Sequence, residues 1–260
     1  WRQVKWNSTR KLRSYDQMCS TNAANCLAQG SYFGSKAANL GFLAHRQVLG
    51  RKQQSGTVSG RLGYDLVPFG FGIPLQFYKD FVEYRDPATG KNNLKLKKKI
   101  DEFVGLEMSG TLSNAARLDY VDQIQRLFFE AIFPPSQLSA IRSMLNQTLP
   151  GIEKVKVRSS ANAEDIENFD GAGLHASYSA KPAEADSPDG ICRREVEPDD
   201  GGGETKAKMM PQTIACGIKG VYASIWNKRA IEERSFARLD HKSVAMGISI
   251  LPAYDYQSKI

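Results

Sequence analysis

The chain has 260 residues, 41% of them hydrophobic and 24% charged, and carries a net charge of +7 from 35 Lys+Arg against 28 Asp+Glu. That length supports one large domain or two small ones with ample core. No run approaches the roughly 18 apolar residues of a membrane span, and nothing at the start resembles a signal peptide, so no membrane partner is expected.

The basic excess suits an anionic ligand or a nucleic acid but is too small to establish either. Basic residues crowd two stretches: Arg2, Lys5, Arg10, Lys11 and Arg13, then Lys91, Lys95 and Lys97 to Lys99. Aromatic residues do not interleave with them, so solvated helix faces explain these runs better than a nucleic-acid surface. An RNA-associated protein rests only on net charge and these lysine runs. Cys19, Cys26, Cys192 and Cys216 lack the close CxxC pairing of a zinc site, and four in this length make no disulfide framework. The default location is therefore a cytoplasm or another reducing interior. His45, His175 and His241 lie too far apart to suggest a metal site.

In chain order, residues 1–30 are polar and weakly periodic, and read as a loosely packed extension. A helix starts near Lys36, with Ala37, Leu40, Ala44 and Val48 at spacings of three and four. Residues 50–63 read as a flexible loop. Val67 to Pro74 is a short extended segment with tight turns, and Phe77, Phe81 and Val82 suggest a helix after it. Asp86 to Gly90 is a turn. Residues 115–131 set Leu118, Val121, Ile124, Leu127, Phe128 and Ala131 on one helical stripe. Pro134-Pro135 ends that helix, and Ser136 caps the next, which carries Leu138, Ile141, Met144 and Leu145. Val155 and Val157 alternate with Lys154, Lys156 and Arg158, the pattern of a half-buried strand. Residues 181–213, with four prolines, a triple glycine and many acids, read as a disordered insertion. A helix resumes at Gly220 with Val221, Tyr222, Ile225, Trp226 and Ala230. Val244, Met246, Ile248 and Ile250 then alternate with small residues, suggesting a strand closely covered by ligand or backbone.

Two places carry chemistry. In Gly34-Ser35-Lys36 a lysine stands in the first turn of a helix, where the macrodipole disfavours a cation. A phosphate between lysine and helix would reverse that, since helix N-termini bind anions through free amides; a surface lysine in an imperfect cap is the alternative. The full P-loop pattern is absent. In Val157 to Asp165, Arg158 is placed at the carboxyl end of a strand, where ligands bind in open α/β sheets. Ser159, Ser160 and Asn162 follow as hydroxyl and amide donors, or as ordinary turn residues. Glu164 and Asp165 fit the first turn of a helix better than a metal site. Gly171-Ala172-Gly173 is spaced to lie over phosphates bound at Arg158. His175 is a possible phosphoryl acceptor but suits a structural place better, as does His241.

Four segments carry a resemblance. Gly34-Ser35-Lys36-Ala37-Ala38-Asn39-Leu40-Gly41, Val67 to Phe71, Val157 to Asp165 and Val221 to Ala230 occur in the order found in the ATP-binding domain of phosphoenolpyruvate synthase and pyruvate phosphate dikinase. The match covers about residues 30–251, and Arg158-Ser159-Ser160-Ala161-Asn162 is more similar to the synthase-like and water-dikinase-like branch. The resemblance implies an α/β (α+β) fold of ATP-grasp type, with residues 31–260 as the N-terminal portion of the domain. It implies that Lys36, Arg158, Ser159 and Ser160 contact ATP phosphates, with Gly171, Ala172 and Gly173 lying over them and the strand Val244–Leu251 near the adenine. It also implies Mg²⁺ held by acidic residues beyond Ile260, and phosphoryl transfer to a histidine on a separate domain and then to an acceptor. No catalytic residue and no metal ligand is assigned within the chain itself. The sequence departs from the family pattern at Ser35 and Ala37, which replace glycines, and in the long 181–213 segment. A non-catalytic nucleotide-binding or interaction module that kept this fold is the alternative.

Overall fold

A computed structural model describes residues 1–19, 23–54, 67–197 and 206–253. Its centre is a five-stranded sheet in the order β1-β2-β9-β3-β6, formed by β1 (Arg13–Ser14), β2 (Phe71–Ile73), β9 (Met246–Pro252), β3 (Val155–Ala161) and β6 (Ser177–Ala180). Every neighbouring pair in it is antiparallel. The chain therefore has a mixed α/β fold, and the ligand rule for open parallel sheets does not apply to it.

The two faces of the sheet differ in the size of their side chains. Phe71, Ile73, Val155, Val157, Met246, Ile248 and Ile250 turn to one side and join the main core. They pack with α5 (Leu75–Val82), α6 (Leu94–Ser109), α7 (Asn114–Glu130), α8 (Pro135–Thr148) and α9 (Ile214–Ala223). The register aligns Gly72, Ser249 and Arg158 on the other side, as the period of two requires. This second face is covered by α1 (Tyr15–Met18), α2 (Ala23–Ala28), α3 (Gly30–Phe33) and α4 (Ser35–Gln54), around a smaller cluster that includes Tyr15, Met18, Phe33, Ala37 and Leu251.

Small residues on β9 are a sign of close cover, and the cover is backbone at Gly247 and side chains on the neighbouring β2. A Cβ on Gly247 would run into the carbonyl of Phe33, and one on Gly72 would meet Met18, Phe33 and Ala37.

Several expectations need correction. Among the described residues of the 1–30 stretch, the part from Leu12 on is not loosely packed: β1 forms a sheet edge, and Tyr15, Met18, Cys19 and Cys26 are buried. The helix at Lys36 runs on to Gln54, so 50–54 are helical, while 55–66 lie outside the described residues. Leu118 is exposed, and Ser136 lies inside α8, whose N-cap is Pro134.

The helix expected from Gly220 is three pieces. Helix α9 gives way to a 3₁₀ turn at Ser224–Trp226, and α10 (Lys228–Phe236) starts afresh, because the Asn227 side chain accepts from the amide of Ala230. Asparagine is among the best residues for that position.

The 181–213 segment is also built differently from expectation. Its arms form a hairpin of β7 (Arg193–Glu197) and β8 (Lys206–Met210), with 198–205 outside the described residues. Its polar composition hid what it covers: all ten residues of α9 are buried, and Met209 and Cys192 are buried beside them. Beneath it the ammonium of Lys219 donates to the carbonyls of Gly190 at 2.6 Å and Phe129 at 3.3 Å.

The four cysteines are paired, Cys19 with Cys26 (Cα–Cα 4.8 Å) and Cys192 with Cys216 (5.5 Å). The sequence suggests no disulfide framework, and these two pairs correct that expectation. No helix among the described residues is long and apolar enough to cross a membrane.

Candidate functional site

The two stretches singled out in the sequence meet where α4 starts against the carboxyl-terminal half of β3. Gly34 ends α3 with φ +79°, a left-handed conformation that favours glycine. A Cβ there would also collide with the carbonyl of Ser160. This is the glycine the turn requires. Ser35 and Ala37, which replace family glycines, fall inside α4 and need no special conformation.

The start of α4 is held by β3. The Ala37 amide, one of the orphan donors of a first helical turn, donates to Ser160 Oγ at 3.0 Å. Lys36 then reaches across to Ser159 Oγ at 3.3 Å and forms an ion pair with Glu164. Both serines are wholly buried. They act inward, on α4 and its lysine, rather than as the open hydroxyl donors expected.

Strand β3 runs on through Ser159, Ser160 and Ala161, so Arg158 is its fourth residue and not its end. The guanidinium is exposed and makes no hydrogen bond or ion pair among the described residues. It shares a sheet face with Ser160, two residues on, and lies between Ser249 and Ser177 in the register. Behind it the buried Tyr15 hydroxyl is hydrogen-bonded to Ser249 Oγ. Burial pushes that phenol above its ordinary range, and Arg158 works in the opposite direction.

Glu164 and Asp165 do not open a helix. They lead into a small hairpin of β4 (Asp165–Ile166) and β5 (Phe169–Asp170), turned through Asn168 at φ 61°. Gly171 then folds back on Glu164: its amide donates to the Glu164 carbonyl at 2.8 Å, and a Cβ would come within 2.9 Å of Glu164 Cα. Asp170 accepts from the amide of Ala172 at 2.9 Å, and Asn227 donates to the carbonyl of Leu174 at 2.6 Å. Ala172 and Gly173 are thereby left exposed at the tip of an anchored loop, with Gly173 at φ +74°.

His175 lies just beyond. Its imidazole is held down to about 3 by burial and by the cation of Arg234, with a smaller push from Lys36. It is therefore neutral across the physiological range.

Lys36 and Gly171 thus meet at Glu164, Ser159 and Ser160 hold Lys36 and the start of α4, and Arg158 stands exposed one residue before them on β3. Glu164 and Asn227 are the residues that sequence reading did not place here. Asn227 was readable as a cap, since it precedes a helical stretch. Glu164 carried no comparable signal, because an acid after a turn is common.

Over residues 31–257 the sequence matches the family described as pyruvate phosphate dikinase, AMP/ATP-binding domain. The chain belongs to that family. No curated protein matches it. The family is an ATP-binding one, found in dikinases, and the mixed α/β fold is consistent with it.

Proposed function

We propose that this chain binds the phosphates of ATP where α4 meets β3, as the nucleotide-binding part of a phosphoenolpyruvate synthase-like dikinase with an ATP-grasp-type site. The observation that carries the reading is the placement of Lys36. Its ammonium is fixed on Ser159 and Glu164 at the positive end of a 20-residue helix, and the strand that supplies Ser159 also carries the exposed Arg158, whose guanidinium makes no hydrogen bond or ion pair among the described residues. A lysine there opposes the helix dipole, and a bound polyphosphate turns that opposition into a site with three positive contributions.

Arg158 suits bidentate contact with a phosphate, while Lys36 acts as a point charge. Ser159 and Ser160 hold the lysine and its helix in place. Gly171 is seated on Glu164, and in this reading the exposed Ala172 and Gly173 lie over the bound phosphates. The strand Val244–Leu251 is closely covered by Phe33 in its middle, so contact with an adenine falls to its ends.

These residues fit the phosphates and not the metal. No group of three or more His, Cys, Asp or Glu side chains gathers as a metal site among the described residues. The acid at hand, Glu164, is already engaged by Lys36. When bound with the nucleotide, Mg²⁺ would offset phosphate charge during transfer. Transfer to a histidine on another domain, and from it to an acceptor, completes the proposed reaction of the full-length protein.

The test is calorimetric titration of the full-length protein with Mg-ATP. Lys36→Ala and Arg158→Ala should each weaken binding by about 10- to 100-fold, the worth of a charge-assisted contact. Wild-type protein that binds no Mg-ATP, or variants that bind as well as wild type, would overturn the reading.

A further inference from the structure

The carboxylate of Glu164 is withdrawn almost completely from water, with a side-chain exposure of 2%. A buried charge of this kind needs a partner of opposite sign. Lys36 is that partner, and at 38% side-chain exposure it faces both the carboxylate and the solvent. An ammonium has three N–H groups. One is directed at Glu164 Oε1 and one at Ser159 Oγ, which leaves the third for the open side. Through its backbone the same Glu164 also seats the glycine loop, by the hydrogen bond from Gly171.

From this arrangement we infer that Glu164 is a positioning residue for the nucleotide phosphates. With Ser159 it fixes two N–H groups of Lys36 and directs the third at the phosphate, and its main chain fixes the loop that lies beside them. The inference deepens the phosphate-binding reading and rests on it. Glu164 itself touches no phosphate. It supplies orientation in advance, so that the lysine is not ordered at the expense of binding.

A double-mutant cycle on Mg-ATP affinity in the full-length protein tests this, with Glu164→Ala, Lys36→Met and the two combined. Glu164→Ala should weaken binding by about tenfold, one charge-assisted contact's worth of orientation. In the Lys36→Met background the same change should cost no further affinity, because there is no ammonium left to orient. Glu164→Gln keeps the acceptor oxygen and should fall between wild type and alanine, which also serves should the alanine variant fold poorly.

Thermal melting without nucleotide reads the pair itself. Lys36→Met takes the ammonium away from the buried carboxylate and should lower the midpoint, and Lys36→Met/Glu164→Gln should restore most of it. Wild-type affinity in Glu164→Ala, or an undiminished loss in the Lys36→Met background, would sink the inference while leaving the nucleotide site intact. Equal melting of the single and double variants would sink the pair. Wild-type protein that binds no Mg-ATP would remove the site on which both readings stand.

Discussion

Lys36 and Lys219 are both drawn out of water, and the protein answers them in opposite ways. Lys219 lies in the middle of α9 with an exposure of 1%, and its ammonium is met by the backbone carbonyls of Gly190 and Phe129. Those acceptors are fixed dipoles under a disulfide-tethered hairpin. Burial lowers the lysine to about 8, and the charges of Asp186 and Asp189 recover only part of the loss. Lys36 stands at the rim, meets a full carboxylate and keeps part of its surface in solvent. The difference separates a cation used to fasten a loop from a cation held ready for an incoming anion. Burial alone does not distinguish the two; the partner and the remaining open side do.

Breaking the cover over Lys219 should give the largest effect on stability. The Cys192–Cys216 bridge closes a separation of 24 residues and ties the hairpin to α9. Replacing both cysteines by serine should lower unfolding free energy by about 3 kcal/mol, from the freed unfolded chain. Denaturant titration measures it, and an unchanged midpoint would mean that the hairpin is secured without the bridge.

The buried ammonium of Lys219 comes next. In the unfolded chain a lysine holds its proton up to about 10.4, whereas in the folded protein Lys219 releases it near 8. Between these values the unfolded state binds more protons, so stability should rise with pH, by about 2 kcal/mol from pH 8 to 10. Lys219→Met should flatten that rise, and a slope that persists in the variant would assign it elsewhere. Above pH 10 the buried tyrosines Tyr15 and Tyr78, both pushed upward by burial, work in the opposite direction.

The smallest effect belongs to the Lys36 side. Asn227 caps α10 and donates to the carbonyl of Leu174, where the glycine loop ends. Asn227→Ala should cost about 1 kcal/mol of stability as a lost cap and should raise amide exchange at Ala172 and Gly173. Exchange there equal to wild type would show that the loop is held from Glu164 alone.

Much of this was legible in the sequence for physical reasons. Helix α7 announced itself by the spacing of Val121, Ile124 and Phe128, and β9 by the alternation of Met246, Ile248 and Ile250 with small residues. Lys36 and Arg158 stood out because a first-turn lysine and a strand arginine beside hydroxyls are unusual without an anion. The rest depends on partners distant in sequence. Two-residue β1 has no period to detect, and it exists because Gly72 pairs with Arg13. The acidic, proline-rich arms of the hairpin look unable to bury anything, yet they cover α9 through Cys192, Met209 and backbone carbonyls. The break at Asn227 competes with a continuous helical stripe and wins by one side-chain cap. Glu164 became visible only when β3 and α4 were placed together.

The edge formed by β1 bears on how this fold can be handled as a unit. Family similarity begins at residue 31, whereas the outermost strand of the sheet is Arg13–Ser14, and the phenol bonded to Ser249 belongs to Tyr15. A polypeptide begun at residue 31 would leave the hydrogen-bonding groups of β2 open on one side and empty the space filled by Tyr15 and Met18. Unpaired strand edges recruit other chains. Such a truncated domain should self-associate through β2, so the boundary that recognises the family is not the boundary that keeps β2 covered.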